Sequence, residues 1–151
     1  MLFSKSEIEE IKNEIISAEK NTSGEIRIHL DKKCSSSPID AAIKQFEKLG
    51  MTNTKDRNGV LIYLAIKDKK MAIIGDTGID QKVPDDFWES VKDTMATNFK
   101  DGEFVKGICT AIKESGIKLS TYFPYQSDDE NELSDEISIG EGSWKKQSTF
   151  H

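Results

Sequence analysis

Six carboxylates, Glu25, Asp56, Asp76, Asp80, Asp85 and Asp86, fall where apolar runs meet polar turns, and they are the residues best placed to do chemistry. Carboxylates drawn from several segments suit a hard divalent cation. Ca2+ takes about six to eight oxygen ligands in flexible geometry, loop carbonyls included, whereas Mg2+ needs fewer protein ligands and keeps water. Asp76-Thr77-Gly78-Ile79-Asp80 lacks the later Glu of an EF-hand loop, so a metal site here must be composite. Each group also has a plainer reading. Asp85 and Asp86 after Pro84 suit the first turn of a helix, Asp76-Thr77-Gly78 is a good turn sequence, and Glu25 can face water from its strand.

Phosphoryl transfer would have to run through such a metal, with Asp56 or Asp76 as base or nucleophile and Arg27 or Arg57 as the phosphate clamp. These are the chain's two arginines. Arg57, next to Asp56, reads equally as part of a surface ion pair. No Ser-His-Asp or Cys-His spacing and no Gly-rich phosphate loop is present, and the imidazoles are His29 and His151. His29 alternates with Ile28 and Leu30, which gives it a surface or packed structural role. Cys34 and Cys109 are far apart and read as reduced thiols.

The elements that must position these groups follow from periodicity. Ile8, Ile11, Ile15 and Ala18 form a helical stripe, with Ser6 and Glu9 as a capping box and an end near Lys20. Glu25 to Leu30 alternates as a half-buried strand. Ser37-Pro38 starts a second helix whose stripe is Ile39, Ala42, Ile43, Phe46 and Leu49, ended by Gly50. The near-continuous apolar run Val60 to Ile66 predicts a central strand covered on both faces. Met71 to Ile74 should pair with it as a hairpin. Helices are expected over about 85–99, burying Phe87 or Trp88 with Val91 and Met95, and over about 104–122, with Gly107 and Gly116 at close contacts. A strand joined to the next through a helix favours parallel pairing. The fold class is therefore α/β, a three-layer α/β/α sandwich with a small mixed sheet and helices on both faces. Its strand ends gather the carboxylates where ligands of α/β proteins usually bind.

Several segments together resemble the TPM domain, a family that includes a thylakoid-lumen phosphatase-like protein of photosystem II repair. They are Thr22-Ser23-Gly24-Glu25-Ile26, Asp56-Arg57-Asn58-Gly59-Val60-Leu61-Ile62, Ile73-Ile74-Gly75-Asp76, Phe87-Trp88, Phe99-Lys100-Asp101-Gly102-Glu103-Phe104 and Gly107-Ile108, across roughly Ser6 to Phe123. The resemblance implies an α/β/α domain of mostly extracytoplasmic or lumenal proteins, with acid phosphatase activity and Ca2+ or Mg2+ binding in some members.

The formal charge of −6 divides unevenly. After Tyr125, seven acidic residues stand against Lys145 and Lys146, a net of −5, so residues 1–125 carry −1. The chain is thus expected to be one domain over 1–125 and an acidic, disordered tail over 126–151, in which Leu133, Ile137 and Ile139 offer a short docking stretch. A near-neutral body and an acidic tail argue against nucleic acid. No apolar run spans a bilayer and the N-terminal residues lack a signal-peptide core, which predicts a soluble cytoplasmic protein without a membrane span. The function expected is a Ca2+- or Mg2+-binding TPM-like module, binding or regulatory. The alternatives are a metal-assisted acid phosphatase and an adaptor whose tail engages a protein partner.

Overall fold

Ser4 rather than Ser6 opens the first helix. Its hydroxyl accepts from the Glu7 amide at 3.2 Å, and the Glu7 carboxylate accepts from the Ser4 amide at 2.8 Å. This reciprocal pair satisfies two donors that a helix start leaves orphaned, so α1 runs Lys5–Ala18. The structure is a computed structural model and describes residues 3–126 and 137–140. After α1 come β1 (Glu25–Asp31), α2 (Pro38–Lys48), β2 (Gly59–Ala65), β3 (Lys70–Gly75), α3 (Thr77–Asp80), α4 (Glu89–Lys100), α5 (Phe104–Ser120) and β4 (Ser138–Ile139).

The strands form one mixed sheet of order β3-β2-β1-β4. β1 and β2 pair in parallel from Glu25↔Gly59 to Asp31↔Ala65, and β3 returns antiparallel to β2, with Tyr63 opposite Ala72. Alternation sends Ile26, Ile28 and Leu30 of β1 and Val60, Ile62 and Leu64 of β2 into one core with Ile11 and Ile15 of α1, Met95 of α4 and Ile112 of α5. The opposite sides of β2 and β3 meet α2, where Ala42 packs with Tyr63, Ala65 and Ala72, and Phe46 with Leu61. Helices cover both faces, and the three-layer α/β/α architecture stands.

Three expectations change in detail. The stripe of α2 is only half used: Ala42 and Phe46 are buried, but Ile39 and Ile43 are 56% and 42% exposed. A helix reaches a sheet along a narrow line, and among the described residues no second helix shares that face to cover the flanks of α2. Next, α4 begins at Glu89, so Asp85 and Asp86 lie in the turns that precede it, where the Phe87 amide donates to the Pro84 carbonyl at 3.0 Å. Finally, Ser138–Ile139 adds a parallel strand beside His29 and Leu30. Within the segment expected to be a solvated tail, residues 137–140 therefore dock on the body, with Ile137 packed against the main core. Residues 127–136 and 141–151, including Leu133 and His151, lie outside the described residues.

Helices α1 and α5 meet through a glycine. A Cβ on Gly116 would stand 3.0 Å from the Ala18 Cβ and 3.1 Å from its carbonyl oxygen. Gly116→Val should overpack this contact and cost about 1–3 kcal/mol, read as a lower midpoint in urea unfolding with an unchanged slope.

Candidate functional site

The parallel pairing puts the predicted carboxylates at the opposite end of the sheet from the one expected. Glu25 begins β1 and Asp56 precedes β2, while Asp76 follows the antiparallel β3, so all three sit at the amino ends of β1 and β2. The error has a physical source. Runs of sequence show where a strand stops but not its direction in the sheet, and a hairpin partner exits where its neighbour enters.

At this end two loops clasp each other. The Gly78 amide donates to the Arg57 carbonyl at 2.9 Å, and a Cβ on Gly78 would lie 2.2 Å from the Asp56 carbonyl oxygen. Arg57 adopts a left-handed φ of 50°. From there its guanidinium reaches the buried Asp76 in a two-pronged pair, Nε to Oδ2 at 2.7 Å and Nη2 to Oδ1 at 2.8 Å. The partner of Arg57 is thus Asp76, not the adjacent Asp56. Asp76 also caps α3 by accepting from the Thr77 amide at 2.7 Å. Asp80, one helical turn on, has its carboxyl pushed above the ordinary range by burial and by the charge of Asp76. Asp80 is nevertheless exposed as a residue, as are Asp56, Asp85 and Asp86.

Glu25 does not face water. It is 4% exposed and sits 3.5 Å from Arg27 Nη2, while Arg27 Nη1 donates to Glu19 at 2.7 Å. Arg27 is therefore held inside a carboxylate pair. Among the described residues no three His, Cys, Asp or Glu side chains are gathered so that they could hold a metal ion. The structure brings Asp76 and Asp80 together with the Asp56 backbone and leaves the other predicted ligands apart.

The carboxyl end of β1 carries a network that the sequence reading missed. His29 Nε2 lies 2.9 Å from Asp31 Oδ1, His29 Nδ1 lies 2.7 Å from the Ser138 hydroxyl, and the Tyr63 hydroxyl donates to Asp31 Oδ2 at 2.7 Å. The imidazole stacks on the Tyr63 ring, centroids 5.7 Å apart and planes 9° apart. Burial raises the Asp31 carboxyl, but the hydrogen bonds from His29 and Tyr63 outweigh it and hold the group below its ordinary 3.8. Burial, then the bond to Asp31, pushes the Tyr63 phenol up. An ionised Asp31 can only accept, so His29 Nε2–H points to it. The order Ser-His-Asp is that of a hydrolytic relay, but here it lies under a strand: His29 is 2% exposed and Gly140 passes so close that a Cβ there would overlap Asp31. The arrangement acts as a clamp for β4. The His29-x-Asp31 spacing on one strand face was its only signal in the sequence.

A parallel pair flanked by an antiparallel hairpin, between two helical layers and with clasped acidic loops at one end, defines a small α/β domain built to present loops on a rigid sheet. The chain belongs to the TPM domain family, whose model matches residues 1–116. It is similar to the NMR structure of BA42 protein from the psychrophilic bacterium Bizionia argentinensis, with 44% identity, a TM-score of 0.88, and coverage of 93% of this chain and 97% of that one. The N-terminal domain of a protein from P. gingivalis shares the fold at 18% identity and a TM-score of 0.67, covering 83% and 82% of the two chains. The N-terminal domain of cg2496 protein from Corynebacterium glutamicum does so at 13% and 0.60, covering 93% and 81%. No curated protein matches the chain. No helix among the described residues is long and apolar enough to cross a membrane.

Two outcomes test these networks. Arg27→Met leaves Glu19 and Glu25 without their buried cation and should cost about 3–5 kcal/mol, measured by chemical unfolding. Asp31→Asn should destabilise at neutral pH. Because the folded Asp31 holds its proton less tightly than the unfolded one, its contribution is complete above pH 3.8 and lost as pH falls through the lower folded value. The variant's stability should therefore fall less than wild type's across that acid window.

Proposed function

We propose that this TPM domain is a binding module that takes a divalent cation, Ca2+ with Mg2+ competing, at the clasped loops of Asp56-Arg57 and Asp76 to Asp80. The observation that carries this reading is the position of two carboxylates one helical turn apart, Asp76 buried with Arg57 as its present counterion and Asp80 pushed up by burial and by the charge of Asp76. A cation would favour the ionised form of both. Because the preformed ligands are few, the ion would draw on Asp76, Asp80, loop carbonyls and water, which Ca2+ accepts. Glu25, paired with Arg27, and the exposed Asp56, Asp85 and Asp86 would contribute charge and not coordination.

Arg57 is the competitor in this reading. Its side chain is 45% exposed and so can swing out, giving the ion its place on Asp76. An acid phosphatase would need a phosphate clamp, but Arg27 is buried between Glu19 and Glu25 and Arg57 is engaged by Asp76. The binding module is therefore preferred to the enzyme, and the tail adaptor lies largely outside the described residues.

Melting curves and amide shifts under Ca2+ and under chelator test the reading. A ligand of the folded state adds about 2.7 kcal/mol at one hundred times its dissociation constant, so millimolar Ca2+ should raise the melting temperature and shift the amides of residues 76–80. Asp80→Asn should remove the response and, by relieving the charge on Asp76, should not lower stability in the absence of metal. Arg57→Gln should bind Ca2+ more tightly than wild type. If neither Ca2+ nor chelator moves the melting curve or those amides, the proposal is wrong; weaker binding by Arg57→Gln would instead show that Arg57 builds the site.

A further inference from the structure

At the carboxyl end of β2, a cavity of about 260 Å³ opens between the β2–β3 turn, α4 and the start of α5. Its apolar lining is Ile66, Met71, Phe99 and Phe104, and the two phenylalanine rings lie 5.3 Å apart. Its rim carries two lysines, Lys69 and Lys100; Lys70 also borders it, but with its ammonium turned to the α2 side of the sheet. None of the three forms an ion pair with a carboxylate among the described residues. The Lys70 ammonium is held by the Cys34 and Ser36 carbonyls at 2.9 and 3.1 Å, on the α2 side, so the cavity's own charge comes from Lys69 and Lys100. Lys69 stands at the tip of the turn with a left-handed φ of 53°. Asp68, the acid of the same turn, is directed away to the Cys34 amide at 2.7 Å.

Positive charge continues beyond the rim. The Lys67 ammonium is pushed below its ordinary range chiefly by the charge of Lys32, with Lys33 adding to it. In a body of net charge −1 the fold therefore collects cations at one end, around an apolar hole, while the candidate cation site lies at the other.

We propose that this cavity binds a small anionic amphiphile, a single ring or short acyl chain ending in a carboxylate. Its apolar part rests against Phe99, Phe104, Ile66 and Met71, and its carboxylate meets Lys69 and Lys100. The volume sets the size, because it lies just under the roughly 300 Å³ at which drug-sized pockets begin. The lysines set the sign, since an apolar hole alone accepts either charge while a rim without carboxylates repels cations.

The probes are octanoate and n-octylammonium, which share a chain and differ in charge, titrated into the full chain with amide NMR. Octanoate should give saturable shifts at Ile66, Met71, Phe99 and Phe104, and octylammonium none there. The double variant Lys69→Gln/Lys100→Gln, both exposed positions and so compatible with folding, should bind octanoate at least about tenfold more weakly, the equivalent of ~1.4 kcal/mol. Ala96→Trp, which fills the mouth from α4, should abolish the shifts. The proposal is overturned by absent or non-saturating shifts, by equal response to octylammonium, or by unchanged affinity in the double variant. Binding to phosphatidylglycerol vesicles without any binding of free octanoate would overturn it in favour of a membrane surface.

Discussion

β1 is a strand with polar residues on one side, Glu25, Arg27, His29 and Asp31, and it is covered on both faces. This is the constraint from which much of the structure follows. A charged or polar group taken out of water must find partners or cost several kcal/mol. Arg27 finds Glu19 and Glu25, which ties the end of α1 to the start of β1, and the Ile26 amide adds a bond to the same Glu19 carboxylate at 2.9 Å. His29 and Asp31 find Tyr63 across the parallel ladder and Ser138 from β4. Polar satisfaction of one strand thus recruits the helix before it, the strand beside it and a short strand more than a hundred residues later.

That long-range dependence marks the limit of what the sequence could disclose. β2 was legible because six buried apolar residues in a row, Val60 to Ala65, need no partner beyond packing. The hairpin, the Ser37-Pro38 start of α2 and the core positions Val91 and Met95 were legible for the same local reason, and the family resemblance is borne out. β1 looked half exposed because its alternation is that of a strand with a wet face. What covers that face includes residues 137–140, set in an acidic stretch whose composition argues for solvation. Two apolar residues and a serine suffice to dock there, since the network they close already exists.

The geometry around the candidate carboxylates was not legible. The turn character of Asp76-Thr77-Gly78 became the cap and first turn of a four-residue helix, which sets Asp80 one turn from Asp76. The partner of Arg57 was not legible, because the adjacency of Asp56 in sequence is a poor guide where the backbone turns through a left-handed residue. Clasping of the 54–58 loop by Gly78 is a close backbone approach that only glycine permits. It delivers the guanidinium to a carboxylate nineteen residues away.

The two ends of the sheet now differ in kind. At the amino ends of β1 and β2, loops from separate elements carry carboxylates, of which Asp76 is held by the exposed Arg57; at the carboxyl ends, lysines border an apolar cavity. The notion that ligands of α/β proteins gather at the carboxyl ends rests on parallel strands feeding helices whose starts converge there. Only one βαβ unit exists among the described residues, and β3 runs the other way, so β1 feeds α2 at one end, β3 feeds α3 at the other, and neither end owns the convergence alone. A fold this small can therefore carry opposite charge at opposite ends on one rigid sheet. Membership of the TPM domain family fixes the sheet that makes this separation possible, while the side chains at its two ends determine the charge each presents.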